Sequence, residues 1–184
     1  MTLADARQVE TARLLLRPFE PADEAPYAGI RSRREVARYL AGGEASAALG
    51  EQTAAKLVPA FAALWEDPGY GPWAAIERET GRLIGHIGLR HLPCVAGETE
   101  VLYALDPAAW GRGYALEGAS AALEFGFRTL ALPQIVAFAL PQNTASLKVM
   151  ERLGMARRPG LVPVFGLDVV RAEISAETYQ EGRT

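Results

Sequence analysis

Residues 99–115 read TEVLYALDPAAWGRGYA, and residues 116–130 continue as LEGASAALEFGFRTL. Residues 99–105 form an apolar, β-prone run that Asp106-Pro107 ends. A glycine-rich turn follows, Trp110-Gly111-Arg112-Gly113, and from Tyr114 the composition is helical as far as about Leu130. Glycines two apart at the start of a helix free successive backbone N–H groups to converge on an anion. The helix dipole adds positive potential at the same point. A pyrophosphate is the natural ligand of such a turn, and a tight turn without a ligand is the plain alternative.

Downstream, Pro133 breaks the chain and IVAFAL, residues 135–140, reads as a buried strand. Asn143 can cap a helix that runs through Leu153, with Gly154 in the stop position. Residues 165–174 read as a last strand, and the tail after Ser175 as a short helix or a frayed end. Upstream, residues 73–77 and 83–89 are apolar runs separated by RETGR, a hairpin signal, with Gly85 and Gly88 marking a bulge or close backbone approach. RLLLR, residues 13–17, is a strand ended by Pro18, and the acidic turn around Pro21, Asp23 and Glu24 opens a short helix towards Ile30. Residues 33–40 suggest a second short helix stopped by Gly42-Gly43. Residues 46–65 are helical in composition, with Pro59 expected to kink or divide them. No repeat or linker divides the 184 residues. One α/β domain follows, a mixed central sheet covered by helices on both faces, its core spanning about residues 10–174.

The 19 basic and 22 acidic residues leave a net charge of -3, without the basic surplus of a nucleic-acid or anionic-membrane binder. Cys94 stands alone, which excludes an internal disulfide, and with only His86 and His91 a metal site is not expected. The opening MTLADARQVE does not read as a secretory signal, and no apolar run is long enough to span a bilayer. The expectation is a soluble cytoplasmic domain.

Strand alternation puts Thr99, Val101, Tyr103 and Leu105 on one face and Glu100, Leu102 and Ala104 on the other. A carboxylate buried in an apolar strand has a raised pKa that suits a general base, so Glu100 is the candidate; a strand-end glutamate in solvent is the alternative. Glu98, nearer the loop, is the weaker choice.

Four segments in order, TARLLLRPFEPAD, TGRLIGHIGLR, LDPAAWGRGYALE and NTASLKVMERLGM, resemble the GNAT superfamily of N-acetyltransferases, and more narrowly its RimJ/RimL-type branch. The resemblance implies acetyl-CoA as donor. It implies that the turn beginning at Trp110 and Gly111 holds the CoA pyrophosphate on the amides of Arg112, Gly113, Tyr114 and Ala115. The strand end from Tyr103 to Leu105 would pair with the pantetheine arm as an added strand does. Asn143 falls at a cofactor-contacting asparagine, a role that coexists with helix capping. Many relatives carry a glutamate matching Glu100. The tyrosine that protonates the departing thiolate in many GNAT enzymes is Met150 here; RimL-type relatives are understood to use a serine matching Ser146, so Ser146 is the candidate for orienting or protonating the thiolate, with a locally bonded helix serine as the alternative.

The implied reaction is direct attack of an amine on the thioester in a ternary complex, an N–H near Leu102 stabilising the oxyanion. An acyl-enzyme on Cys94 is the covalent alternative. At pH 7 roughly a tenth of an α-amine is neutral, against under about a thousandth of a lysine, so a modest base serves a peptide or protein N-terminus more easily. A small amine such as a polyamine, amino acid or antibiotic is the second acceptor class, and a non-catalytic acyl-CoA-binding module the third reading. Trp65 and Trp73 are expected in the core rather than an acceptor pocket, and His86 and His91 are read as structural or exposed. Arg31, Arg33, Arg34 and Arg38 are read as a solvated face, and Lys148 and Arg152 as side chains able to reach CoA phosphates. Monomer and homodimer both occur among relatives.

Overall fold

The chain is described from a computed structural model covering residues 7–93 and 95–182, so Cys94 lies outside the described residues. Strands β1 (Val9–Glu10) and β2 (Leu14–Arg17) lead into helices α1 (Glu24–Arg31), α2 (Arg34–Ala37) and α3 (Gly50–Ala63). Strands β3 (Pro72–Glu77), β4 (Arg82–Leu92) and β5 (Glu98–Leu105) form an antiparallel meander. Then come α4 (Tyr114–Arg128), β6 (Gln134–Ala139), α5 (Thr144–Arg152), β7 (Ala156–Arg157), β8 (Val162–Val164), β9 (Leu167–Ser175) and α6 (Ala176–Glu181). The spatial order is β1-β2-β3-β4-β5-β6-β9-β7, with β8 on β9. Of these pairings only β5 with β6 is parallel, and that step needs a crossover, which α4 supplies.

The alternation of β2, β4 and β5 decides which helix covers which face. On one side Leu14, Leu16, Ile87, Leu89, Val101 and Leu105 pack against Ala119, Ala122, Leu123 and Phe125 of α4. On the other, Ala74, Ile76 and Leu83 meet Tyr27 and Ile30 of α1 and Val58 and Phe61 of α3. Each large side chain so buried stabilises the fold by about 1.5–3 kcal/mol. Trp65 and Trp73 are core residues, as expected, their rings 5.2 Å apart and 6.1 and 5.3 Å from Phe125.

The boundaries differ from the sequence reading in instructive places. Residues 43–49 are 3-10 helix, and α3 begins only at Gly50 and runs through Pro59 undivided. Val58 and Phe61, on either side of that proline, are both buried, which offsets the roughly 3 kcal/mol that an interior proline costs. Phe165 belongs to a tight turn between β8 and β9, not to a strand: it and Gly166 both have positive φ, 51° and 75°. β4 continues three residues past Leu89, because β5 pairs with it as far as Leu92. No helix among the described residues is long and apolar enough to cross a membrane.

Candidate active site

Strands β5 and β6 share one register pair, Glu100 with Val136, and no other register pair joins them among the described residues. The edge of β5 beyond Glu100 therefore turns backbone donors and acceptors towards a cleft instead of a neighbouring strand. At the mouth of that cleft the turn before α4 carries left-handed backbone at Gly111 and Gly113, with φ of 72° and 83°. Gly113 is the N-cap of the fifteen-residue α4, where a Cβ would be strained, and the first N–H groups of such a helix have no intrahelical acceptor.

The turn is braced from behind. Trp110 Nε1 donates to the Leu105 carbonyl at 2.8 Å, tying the turn to the end of β5. The Arg112 guanidinium lies 2.7 Å from Glu77 Oε1, and the Tyr114 hydroxyl donates to the same oxygen at 2.6 Å. Glu77 is held below the usual carboxylate range, first by Tyr114, then by Thr80 and also by Arg112, so it stays charged as their anchor. Arg13 closes the brace by donating to the Arg112 carbonyl at 2.7 Å and pairing with Glu117 of α4. With the side chains of Arg112 and Tyr114 both directed at Glu77, what residues 112–115 offer a ligand is main chain.

On the α4 side of the sheet, α5 starts at Asn143, whose Oδ1 accepts from the Ser146 N–H at 3.1 Å, so its capping role is real. This cap fixes Ser146, 9% exposed, over β5. Its Oγ lies 2.9 Å from the Tyr103 hydroxyl, which also donates to the Ser146 carbonyl at 3.3 Å. Burial pushes Tyr103 up to about 12, against a smaller opposite effect of its bond to Ser146. The sequence reading found Ser146 and the backbone of Tyr103 but missed the hydroxyl. Alternation gives the face of Tyr103, yet only the packing of α5 on β5 shows what it meets. Met150 is a core residue, 1% exposed.

Glu100 is on the opposite face, 5% exposed, which rules out the solvent reading. Arg90 stands directly across from it on β4 and ion-pairs with it, Nε donating at 2.8 Å and Nη2 bonding the same oxygen. Burial raises the Glu100 pKa and Arg90 lowers it; burial wins. Glu98 is bound by Arg171 at 2.6 and 2.8 Å, which removes it as a free base. The structure thus brings Tyr103 and Ser146 together, while Glu100 sits across the strand and about 10 Å along it from Tyr103. A carbonyl carbon held at the open edge between them would have a carboxylate on one side and a hydroxyl pair on the other.

The family model described as Acetyltransferase (GNAT) domain matches residues 13–156. The chain belongs to the GNAT acetyltransferases. A Bacillus subtilis (strain 168) protein named as the uncharacterized N-acetyltransferase YoaA is 31% identical over 149 residues, 81% of this chain and 82% of that one. The crystal structure of an acetyltransferase from Agrobacterium tumefaciens C58 is 30% identical, with a TM-score of 0.75 over 91% of this chain and 93% of its own. A spermidine N-acetyltransferase from Vibrio cholerae, solved with CoA and spermine, shares the fold at 20% identity, TM-score 0.74, covering 92% of this chain and 99% of its own. The mixed sheet with helices on both faces is the GNAT fold in this chain too.

The two histidines of this GNAT domain separate. His91 is exposed, whereas His86 is buried with its Nδ1 2.9 Å from the Tyr27 hydroxyl. Burial first, then Arg31 and Arg90, lower the His86 pKa to about 3. The folded chain therefore keeps His86 neutral between about 6.5 and 3, while the unfolded chain protonates it. Its contribution to stability is present above pH 6.5 and is lost as pH falls through that window, by up to about 1.4 kcal/mol per unit. Urea unfolding at pH 7, 6 and 5 is expected to show that slope, and His86→Gln to flatten it. An unchanged slope in the variant would assign the acid sensitivity to other groups.

Arg33, Arg34 and Arg38 are exposed as expected, Arg34 and Arg38 reaching Glu44 at 2.7 and 3.2 Å. Arg31 departs from the solvated-face reading: it is half-buried in the last turn of α1.

Proposed function

We propose that this GNAT acetyltransferase moves an acetyl group from acetyl-CoA to an α-amine, as at a peptide or protein N-terminus, in a ternary complex of the RimJ/RimL kind. The reading rests on one arrangement: an open β5 edge with Glu100 on one face and the Tyr103–Ser146 hydroxyl pair on the other.

In this reading the amides of Arg112, Gly113, Tyr114 and Ala115 take the pyrophosphate of CoA, beside Trp110 and Gly111. The backbone from Tyr103 to Leu105 pairs with the pantetheine arm, and Asn143 supports it from the start of α5. The amine nitrogen forms a bond to the thioester carbon and the C–S bond breaks. The proton lost from nitrogen goes to the Glu100 carboxylate, directly or through a water. The thiolate takes a hydrogen bond from the Ser146 hydroxyl, and its proton comes from solvent. An N–H near Leu102 stabilises the oxyanion. Glu100 supports the α-amine as acceptor because a carboxylate, even a raised one, is a weak base; it can complete deprotonation of an amine near pKa 8 far more readily than one near 10.4.

The test is thiol release from acetyl-CoA against peptides with free N-termini, lysine-only peptides, polyamines and aminoglycosides, with mass spectrometry to locate the acetyl group. Acetyl on an α-amine is the expected result. Acetyl only on polyamines or side chains would replace the acceptor assignment. Bound acetyl-CoA with no transfer to any acceptor would favour a cofactor-binding module.

A further inference from the structure

The first helix and β4 place a second arginine on the face of the sheet that carries the candidate base, beside the part of β5 that β6 leaves unpaired. Tyr27 and Arg31 are one turn apart on α1, so they share the face that packs on β4. His86 and Arg90 share the facing side of β4, four residues apart, and Tyr27 bonds His86. Arg31 and Arg90 both lie close enough for their charges to act on Tyr27 and His86 alike. Two guanidiniums thus flank one neutral pair.

Their partners differ. Arg90 is bound to Glu100 and lies over the exposed ring of Phe165, 5.2 Å from its centroid. Arg31 is half-buried and hydrogen-bonds the Tyr27 hydroxyl, yet no ion pair joins it to a carboxylate among the described residues. Asp23, the buried carboxylate at the start of α1, is held by Arg17 at 2.7 and 2.8 Å. With His86 neutral, Arg31, Arg90 and Glu100 carry a net charge of one positive, and the positive excess sits at Arg31. A half-buried guanidinium has given up part of its hydration without a counter-charge, and an anion that arrives with the substrate restores it.

We infer that Arg31 binds a carboxylate carried by the acceptor close to its α-amine, so that the acceptor class is an acidic amine: a free amino acid, or a peptide whose first residues are acidic. This rests on the reading of the chain as an α-amine acetyltransferase with Glu100 as base. The same charge count disfavours polyamines, whose second cation would meet Arg31 with nothing to pair it.

The test measures kcat/KM for matched acceptors that differ only in charge. The pairs are a peptide beginning with Asp or Glu against its Asn or Gln counterpart, and free glutamate against free glutamine; spermidine is the cationic control. Wild-type enzyme is expected to favour the acid of at least one pair by about 10- to 100-fold, the range of one charge-assisted hydrogen bond. The pair that shows it tells peptide from free amino acid. Arg31→Gln is expected to bring that ratio towards one, and Arg31→Lys to restore part of it, which a packing role beside Tyr27 would not do. Transfer to α-amines with acid and amide equal, or with a preference that Arg31→Gln leaves in place, overturns the carboxylate assignment alone. Transfer to no α-amine overturns the reading on which it rests.

Discussion

Glu100→Gln is expected to lower kcat/KM for an α-amine acceptor by about 10²- to 10³-fold, with acetyl-CoA affinity within about twofold of wild type. The substitution keeps the shape of the side chain and its hydrogen bond from Arg90 while removing the proton acceptor. Arg90 is the group left without a counter-charge, and its side chain is 32% exposed, so water can solvate it and the fold is not at risk. The pH profile separates loss of a base from general damage. Glu100 lies above the ordinary carboxylate range because burial outweighs Arg90. Wild-type kcat/KM should therefore climb with two proton losses at acid pH, then with one as the acceptor amine deprotonates near 7.7–8.0. In Glu100→Gln only the amine limb remains. Arg90→Gln removes the group that holds the carboxylate down, so it should move the lower limb to higher pH. A lower limb that stays in Glu100→Gln would transfer the role of base elsewhere.

How far this site was legible follows from which contacts are local. The strand, turn and helix across residues 99–130 could be read because Asp106-Pro107 and the two glycines punctuate them, and Gly113 takes the left-handed cap that such a sequence invites. Glu100 was legible by alternation alone, since a charge within TEVLYAL must go to one face or the other. Its partner was not. The run RHL after Leu89 has no strand pattern of its own and becomes β4 only because β5 pairs with it, which brings Arg90 opposite Glu100. Arg31 looked like one of four surface arginines, and only the seating of α1 on β4 sets it apart. Gly85 was read as a bulge or a close approach, and it is both: the register of β3 on β4 shifts beside it, its φ is 141°, and a Cβ there would fall 2.1 Å from the Ala104 carbonyl oxygen.

Ser146→Ala is expected to lower kcat by about 10- to 100-fold and Tyr103→Phe by about 10-fold, with the double variant no worse than Ser146→Ala alone. The argument turns on what Tyr103 can do at its pKa. At about 12, against roughly 8.5 for a thiol, direct donation to the thiolate would run uphill by some 5 kcal/mol. Tyr103 is therefore a positioning residue. It keeps its proton across the working pH range and shares it between the carbonyl and the Oγ of Ser146; in the arrangement in which Oγ accepts, the Ser146 hydroxyl hydrogen is free to point at the sulfur. Met150 does not supply a hydroxyl from α5; β5 supplies one from the other side of Ser146. Phenylalanine preserves the ring packing of Tyr103 against the core, so loss of kcat with an unchanged KM for acetyl-CoA would report the hydroxyl itself. If the two single effects multiply in the double variant, Tyr103 and Ser146 act on separate steps and the relay is wrong. A rise in KM for acetyl-CoA without a fall in kcat would instead assign Tyr103 to binding the pantetheine arm.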